Sequence, residues 1–259
     1  MLYSLRIFLT SFPSRIIFWK IFCKLLGIKI PQKEKWQNLF LNKAGIEIGG
    51  PSPLFNSKGY LPVYPFIQSL DGVNFSTSTI WEGTLAEGNY YKYQQKTGYQ
   101  YIAEGTSLSK IKDGQYDFVL SCNNLEHIAN PLKAIFEWKR IIKSGGTILL
   151  VLPNKLANFD RKRPYTSIEH VVDDFTKNVA EDDMTHLNEI LQLHDLNRDP
   201  QAGGSLKFKE RCVENYQNRC IHHHVYNQPL LQKMFEYCSM VVYLQYSSNT
   251  DHYIAATKR

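Results

Sequence analysis

The sequence predicts an α/β fold, a doubly wound and mostly parallel seven-stranded sheet with helices on both faces. Two short runs, Tyr116–Cys122 and Thr147–Leu152, are predominantly apolar. Strands of this kind are covered on both faces, as in a parallel sheet between two layers of structure. Between them, Pro131–Lys143 has apolar residues at helical spacing after Asn130, a favourable N-cap, and Gly145–Gly146 is predicted to end this helix. The stretch is therefore predicted to be a βαβ unit.

Five further strands complete the predicted sheet. They are short apolar runs between turn signals: Ile46–Ile48, Gly72–Phe75, Tyr99–Ala103, Met240–Tyr246 and His252–Thr257. The last two are joined by a turn and are predicted to close the sheet as a C-terminal antiparallel hairpin. The first is followed directly by Gly49–Gly50, and glycines in that position let a ligand approach the backbone closely.

The chain is predicted to have two parts, an N-terminal basic amphipathic helical segment (1–42) and a main domain (43–259). A helical insertion is expected at about 156–221, before the last two strands. Within it, Thr166–Glu169 is a capping box and Met184–Leu196 has an apolar face. An insertion of this length has no place in a minimal doubly wound sheet, so we expect it to form a lid. His222–Val225 is predicted to return the chain to the sheet.

Composition narrows the class of protein. Of the 259 residues, 43% are hydrophobic and 21% are charged, as in an ordinary globular protein. The five cysteines have no CxxC spacing, which favours a reducing, cytoplasmic location over a disulfide framework or a zinc site. The net charge is +6, but Met1–Pro31 alone holds five basic residues and no acid. Because the remainder is nearly neutral, nucleic acid is not expected as a partner.

The basic N-terminal segment has two interpretations. No uncharged run in it approaches the ~18 residues of a membrane-spanning helix, and it has no signal-peptide cleavage pattern. Phe18, Trp19 and Phe22 cluster on one side of a helix with Lys20 and Lys24 on the other. Residues 1–30 would then either lie on an anionic membrane surface as an interfacial helix or pack against the domain as a capping helix.

Two motifs resemble those of class I (Rossmann-like) S-adenosylmethionine-dependent methyltransferases. YDFVLSCNNLEHIANPLKAIFEWKRIIKSGGTILLVLPN resembles the fourth strand, Leu-Glu-His turn, helix and fifth strand of that family. AGIEIGGPS resembles its first glycine-rich motif. The resemblance covers Gly45–Asn154, with a weaker match in topology over His222–Lys258. It implies methyl transfer from S-adenosyl-L-methionine to an oxygen or nitrogen of a small-molecule or glycan-like acceptor.

The resemblance also implies which residues hold the cofactor. Those carried over to the methionine end, the ribose, the adenine and the amino group are, in chain order, Glu47, Gly49, Gly50, Asn74, Glu82, Glu104, Gly105, Thr106, Leu108, Ser121, Cys122 and Asn123. Asn74 stands where the family usually has an acid, with Glu82 as the alternative. Pro51 and Pro53 stand where the family usually has further glycines. These departures motivate an alternative function, a non-catalytic protein that keeps the fold for binding or scaffolding.

Three histidines are candidates for the base that a hydroxyl nucleophile would need: His127, His186 and His222. His127 is either at the mouth of the site or a structural residue. For the helix that contains His186, capping by Asp182 and Asp183 is the other interpretation of the local pattern. In His222–His224, alternation along a strand would let only the first and third residues converge, so no metal site is predicted. Arg161–Arg163 is interpreted as a solvated charge run rather than a site for an acidic substrate.

Overall fold

The computed structural model describes residues 28–259. The predicted N-terminal amphipathic helix and its membrane contact therefore fall mainly on residues 1–27, outside the described residues. The helices are α1 Lys33–Asn38, α2 Pro131–Ile141, α3 Ile168–Thr176, α4 Leu187–Leu193, α5 Ser205–Val213, α6 Asn215–Asn218 and α7 Gln228–Tyr237. The strands are β1 Ala44–Ile48, β2 Ser69–Asn74, β3 Ser78–Thr79, β4 Gly83–Thr84, β5 Gly88–Tyr93, β6 Lys96–Ile102, β7 Tyr116–Cys122, β8 Ile142–Pro153, β9 Met240–Ser247 and β10 Asp251–Lys258.

Within residues 28–259, a mixed sheet of eight strands forms the centre, in the order β5-β6-β2-β1-β7-β8-β10-β9. The five strands from β6 to β8 in this order are parallel, whereas β5, β10 and β9 pair antiparallel. The predicted α/β class with a C-terminal antiparallel hairpin is confirmed. The chain reverses its direction of strand addition between β1 and β7, so the carboxyl ends of these two strands form a crevice at the centre of the sheet.

The sheet has one strand more than predicted. The additional strand is β5, which forms an antiparallel hairpin with β6. The side chains of Tyr91 and Tyr93 are 1% and 3% exposed, and they pack against one face of the sheet. Because the residues between and before them are polar, the strand has too short an apolar run to be recognised in the sequence.

The two faces of the sheet are covered differently. On one face, α2 and α7 bury an apolar cluster that includes Trp138, Ile135 and Phe235. On the other face, α1, the turn after it and the irregular chain at 51–68 cover Phe118 and Leu120, and the ring of Phe40 in that turn lies 5.1 Å from that of Phe118. The connections β1–β2 and β2–β6 contain no α-helix.

The βαβ unit follows its sequence signals except at one end. Asn130 caps α2, since its side chain accepts a hydrogen bond from the N–H of Lys133. The helix ends at Ile141, however, and Gly145–Gly146 lies within β8 rather than stopping the helix. Gly145 has a φ of 75°, and the register of β7 and β8 shifts between Tyr116 and Phe118. The glycines therefore accommodate an irregularity at the start of the strand.

The chain between β8 and α7 contains α3 to α6. Ser167 is the N-cap of α3 and accepts a hydrogen bond from the N–H of His170. The prediction that Asp182 and Asp183 cap the next helix is wrong, because α4 follows His186 without a side-chain cap and Asp183 accepts from Thr185 instead. No helix within residues 28–259 is long and apolar enough to cross a membrane.

The segment His222–Val225 is not the predicted strand. It is an irregular, buried stretch, and His223 N–H donates to the carbonyl of Glu126 at 2.8 Å. The N–H of Val225 donates to the hydroxyl of Thr166 at 2.9 Å. The segment therefore runs between the turn after β7 and the start of α3. Because it is not a strand, its histidines do not alternate between two faces.

Candidate active site

The carboxyl ends of the parallel strands open into a cavity of about 970 Å³. Each of the five parallel strands contributes at least one residue from its end: Gly49 after β1, Asn74 from β2, Glu104 after β6, Asn123 after β7 and Pro153 from β8. From the insertion, Asn158, Phe159 and Arg219 also line the cavity. This is the place where open α/β sheets bind their ligands, and the volume is large enough for a cofactor together with an acceptor.

The loop after β1 depends on a glycine. Gly49 has a φ of 81°, and its N–H donates to the carbonyl of Val73 at 2.9 Å. A Cβ at this position would lie 2.4 Å from Nδ2 of Asn124, in the loop after β7. Only glycine therefore allows these two loops to meet at the crevice.

Glu47 does not line the cavity, contrary to the predicted direct contact with a cofactor. Its side chain is fully buried, and its carboxylate accepts hydrogen bonds from Ser52 N–H, Ser52 Oγ, Tyr64 OH and Tyr91 OH. Burial raises the pKa of Glu47, although these hydrogen bonds oppose the shift. Glu47 therefore fixes the loop at 49–52 through hydrogen bonds. Sequence reasoning missed this role because Tyr64 and Tyr91 come from distant parts of the chain.

The other predicted cofactor residues divide into two groups. Those that line the cavity are Gly49, Asn74, Glu82, Glu104, Gly105, Cys122 and Asn123. Those that lie outside the lining are Gly50, Thr106, Leu108 and Ser121, together with Glu47. Gly50 acts through its carbonyl, which accepts a hydrogen bond from Asn74 at 3.2 Å. Leu108 is 1% exposed and belongs to the core of the helical face.

Arg219, which the sequence analysis missed, joins the insertion to the loop after β6. Its guanidinium lies 2.8 Å from Glu104 Oε1 and 2.7 Å from Glu181 Oε2. It also lies over the ring of Phe75 at 5.1 Å. Burial raises the pKa of Glu181 to about 7, against the opposing effect of Arg219. The lining of the cavity therefore includes a paired, largely buried cation.

His222 lines the cavity and forms a buried pair with Asp160. Its Nδ1 lies 2.5 Å from Asp160 Oδ2, and both side chains are less than a tenth exposed. Arg163 donates to Asp160 Oδ1 at 2.9 Å and to the carbonyls of His222 and His223. Arg163 is 2% exposed, so the interpretation of Arg161–Arg163 as a solvated run is wrong for this residue.

The charges of this pair shift its pKa values in opposite directions. Burial would raise the pKa of Asp160, but His222 and Arg163 outweigh it and hold the value at about 2. Burial would lower the pKa of His222, but the carboxylate of Asp160 outweighs it, and the pKa is raised above 6.5. The pair is therefore a histidine oriented by a carboxylate, the arrangement of a general base.

Glu126 and His127 lie beside His222, and we call these three residues the cavity cluster. One ligand atom from each lies within 4.8 Å of the others. Nδ1 of His127 is 3.0 Å from the carbonyl of Ile221, and its ring contacts those of Trp81 and His222. Burial lowers the pKa of His127 to about 3 and raises that of Glu126 to about 7.

His186, the third predicted base, lies outside the lining of the cavity. Its Nε2 is 3.1 Å from Nε2 of His170, in a separate group of side chains within the insertion. The structure therefore brings two of the three candidate histidines, His127 and His222, to the cavity. Neither Asp160 nor Arg163 was identified as a site residue, because no local signal connects them to a histidine about sixty positions later.

Comparison with known proteins gives a family match over the centre of the chain. The family described as "Methyltransferase domain" matches residues 70–150, which run from β2 to β8. No curated protein matches. Among solved structures, the chain is similar to an S-adenosylmethionine-dependent methyltransferase from Aquifex aeolicus, with 14% identity over 95% of this chain and 98% of that chain and a TM-score of 0.49. A methyltransferase of the same type from Methanosarcina mazei has 15% identity over 89% and 98%, with a TM-score of 0.46.

Proposed function

We propose that the chain, whose residues 70–150 match the methyltransferase domain family, transfers a methyl group from S-adenosylmethionine to a hydroxyl oxygen of a small polar or glycan-like acceptor, with His222 as general base. The single observation that supports oxygen as the methylated atom is that His222, which lines the cavity, is hydrogen-bonded to the buried carboxylate of Asp160. The cofactor supplies an electrophilic methyl group on its sulfonium, so the protein mainly has to align the nucleophile and exclude water.

The residues at the crevice fit this cofactor. Asn124 Oδ1 and Glu126 Oε2 are buried oxygens that accept no hydrogen bond within residues 28–259. Both residues line the cavity beside Gly49. Buried acceptors without donors are costly, and the amino group of the methionine moiety would supply donors for them. Asn74 and Glu82 offer further acceptors for the ribose hydroxyls.

The acceptor would lie toward the insertion, where His222 is held. Because Asp160 accepts the Nδ1–H of His222, Nε2 is left with the lone pair that removes a proton. A hydroxyl needs such a base, since its own pKa lies far above neutrality and its oxygen is a poor nucleophile while protonated. An amine that already has an available lone pair gains less from the His222–Asp160 pair. We therefore propose oxygen rather than nitrogen as the methylated atom.

The cavity wall near His222 combines rings with polar groups. Phe159 packs beside His222 at 4.7 Å between ring centroids, and Tyr253 and Trp81 also line the cavity. Asn158 and Thr250 add hydrogen-bonding groups to the lining. Aromatic faces with interspersed amide and hydroxyl groups suit an acceptor that is polar at its edges and apolar on its faces, as a sugar ring is.

A transfer assay tests this proposal. S-adenosylmethionine with a tritiated methyl group is incubated with the purified full chain and two acceptor panels, hydroxylated compounds (sugars and hydroxy acids) and amines. We expect label in the hydroxylated panel, and a kcat about 10²–10⁴-fold lower in His222→Gln. Calorimetric affinity for the cofactor should be unchanged in that variant, which separates loss of the base from loss of binding.

Two results would contradict the proposal. Equal transfer to amines by the wild type and His222→Gln would mean that nitrogen is methylated without this base. Cofactor binding without transfer to either panel would favour the non-catalytic alternative, in which the fold is kept for binding.

A further inference from the structure

A second group of side chains, the insertion cluster, lies outside the cavity lining. It consists of His170 and Asp174 on α3, His186 directly before α4, and His224 in the segment that follows α6. One ligand atom from each residue lies within 4.8 Å of the other three. Asp174 and His224 are buried, whereas His170 and His186 are half-buried, so the group is open to solvent on one side.

Two separations within this cluster are close to those between the ligand atoms of a tetrahedral metal site. His170 Nε2 lies 3.1 Å from His186 Nε2 and 3.4 Å from Asp174 Oδ2. Asp174 Oδ2 also lies 3.6 Å from His224 Nε2. That nitrogen donates to the carbonyl of Ala129, so the lone pair of His224 is on Nδ1. Zinc bonds to imidazole nitrogen and carboxylate oxygen are about 2.0–2.2 Å, which puts neighbouring ligand atoms of a tetrahedron about 3.3–3.6 Å apart. The two separations among His170, His186 and Asp174 are close to this range.

The hydrogen bonds within the cluster leave buried atoms unsatisfied. Asp174 Oδ2 and His224 Nδ1 have no hydrogen-bond partner among the described residues. Asp174 is 6% exposed, and a carboxylate oxygen in that environment without a donor is costly. A cation held between Asp174 Oδ2 and the imidazoles would satisfy that oxygen.

We propose that His170, Asp174, His186 and His224 bind a divalent transition-metal ion of the zinc class. Three neutral imidazoles and one carboxylate are a ligand set that suits zinc, and four protein ligands make a closed, structural site. The ion would join α3, the start of α4 and the segment that carries His222. It would therefore stabilise the insertion against the wall of the active site without taking part in methyl transfer.

The histidines that surround the ion do not belong to the cavity cluster. His224 follows His222 by two residues, but its Nε2 lies 3.1 Å from the carbonyl of Ala129, on the side of α2. His223, between them, has its ring 6.1 Å from that of His186 and its Nδ1 3.8 Å from the carboxylate of Asp183. Asp183 thus adds a second negative charge close to the proposed cation.

Metal content and affinity test the proposal. The full chain is stripped with a chelator, dialysed against zinc, and analysed by elemental mass spectrometry, followed by a competition titration with a chromophoric chelator. We expect about one zinc per chain in the wild type and in the control His252→Gln, whose buried histidine bonds to Ser247 in the C-terminal hairpin. The double variant His170→Gln/His186→Gln should lose the ion and the rise in Tm that zinc gives the wild type.

The variant His127→Gln tests whether the ion binds in the insertion cluster or in the cavity cluster. Loss of zinc in His127→Gln with full binding in the double variant would overturn the proposal, because the ion would then lie in the cavity. No zinc bound by the wild type would also overturn it and leave the cluster as hydrogen-bonded side chains. Should the double variant fail to fold, the cobalt-substituted wild type remains a test, since a closed tetrahedral site gives intense visible absorption and a loosely bound aquo ion does not.

Discussion

His222 and His224 are two residues apart, yet they lie in clusters with different properties. His222 lines the cavity, and its Nδ1 is bound to a carboxylate that Arg163 holds in place. His224 lies against the other side of the segment, with its Nδ1 buried and without a partner in the described part of the chain. A histidine with one nitrogen fixed by an anion suits proton transfer, whereas a convergence of imidazoles around an unsatisfied carboxylate suits a cation.

The largest expected effect is on the rate of methyl transfer and comes from removing the carboxylate beside His222. Asp160→Asn removes the carboxylate that orients His222, and we expect kcat to fall about 10²-fold or more. The variant also removes the anion that raises the pKa of His222, so the acidic limb of the rate profile should move to lower pH. The measurement is the rate of methyl transfer between pH 5 and 9.

The control for this change is Asp173→Asn, an exposed aspartate on α3 that pairs with Lys177. It should leave both the rate and the profile as in the wild type. An unshifted acidic limb in Asp160→Asn would mean that another group limits the rate at low pH.

The next expected effect is on cofactor binding at the crevice between β1 and β7. In Gly49→Ala the new Cβ meets the amide of Asn124 at 2.4 Å, so one of the two loops has to move. We expect calorimetric affinity for S-adenosylmethionine to fall at least tenfold. Gly145→Ala is the matched control, because Gly145 has a similar φ of 75° and nothing within 4 Å of a Cβ there. Equal losses in both variants would assign the effect to backbone strain rather than to the clash.

The last expected effect is on stability rather than on activity or binding, and it concerns Glu126. Burial raises its pKa from 4.5 to about 7, so the folded state binds this proton more tightly than the unfolded state does. Stability from this group is present below pH 4.5 and is lost as pH rises to 7. The free energy of unfolding of Glu126→Gln should therefore rise by about 2–3 kcal/mol relative to that of the wild type when the pH is raised from 4 to 8. Urea unfolding at each pH measures this difference. An equal difference in unfolding free energy between the variant and the wild type at pH 4 and pH 8 would contradict the raised pKa of Glu126.

Local signals were sufficient to predict most of the fold. Asn130 and Pro131 fix the start of α2, and the apolar runs mark β7 and β8, because these preferences act over a few residues. β5 was missed since its burial depends on Tyr91 and Tyr93 meeting the chain at 51–68.

The candidate site was predicted less completely, for a similar reason. The residues at strand ends, such as Gly49 and Asn123, follow from the topology of a parallel sheet. Asp160 and Arg219 come from the insertion, where tertiary contacts alone decide which side chains meet. His224 was interpreted by the period of a strand that the chain does not form, so its convergence with His170 and His186 had no signal in the sequence.

The most direct test of the account is the pKa of His222, which can be measured without knowing the acceptor. Imidazole resonances of the wild type, assigned with His222→Gln, are followed by nuclear magnetic resonance over a pH titration and compared with those of Asp160→Asn. We expect His222 to titrate above 6.5 in the wild type and at a lower pH in the variant. A His222 that titrates at or below 6.5 and does not respond to the loss of Asp160 would contradict the proposed general base.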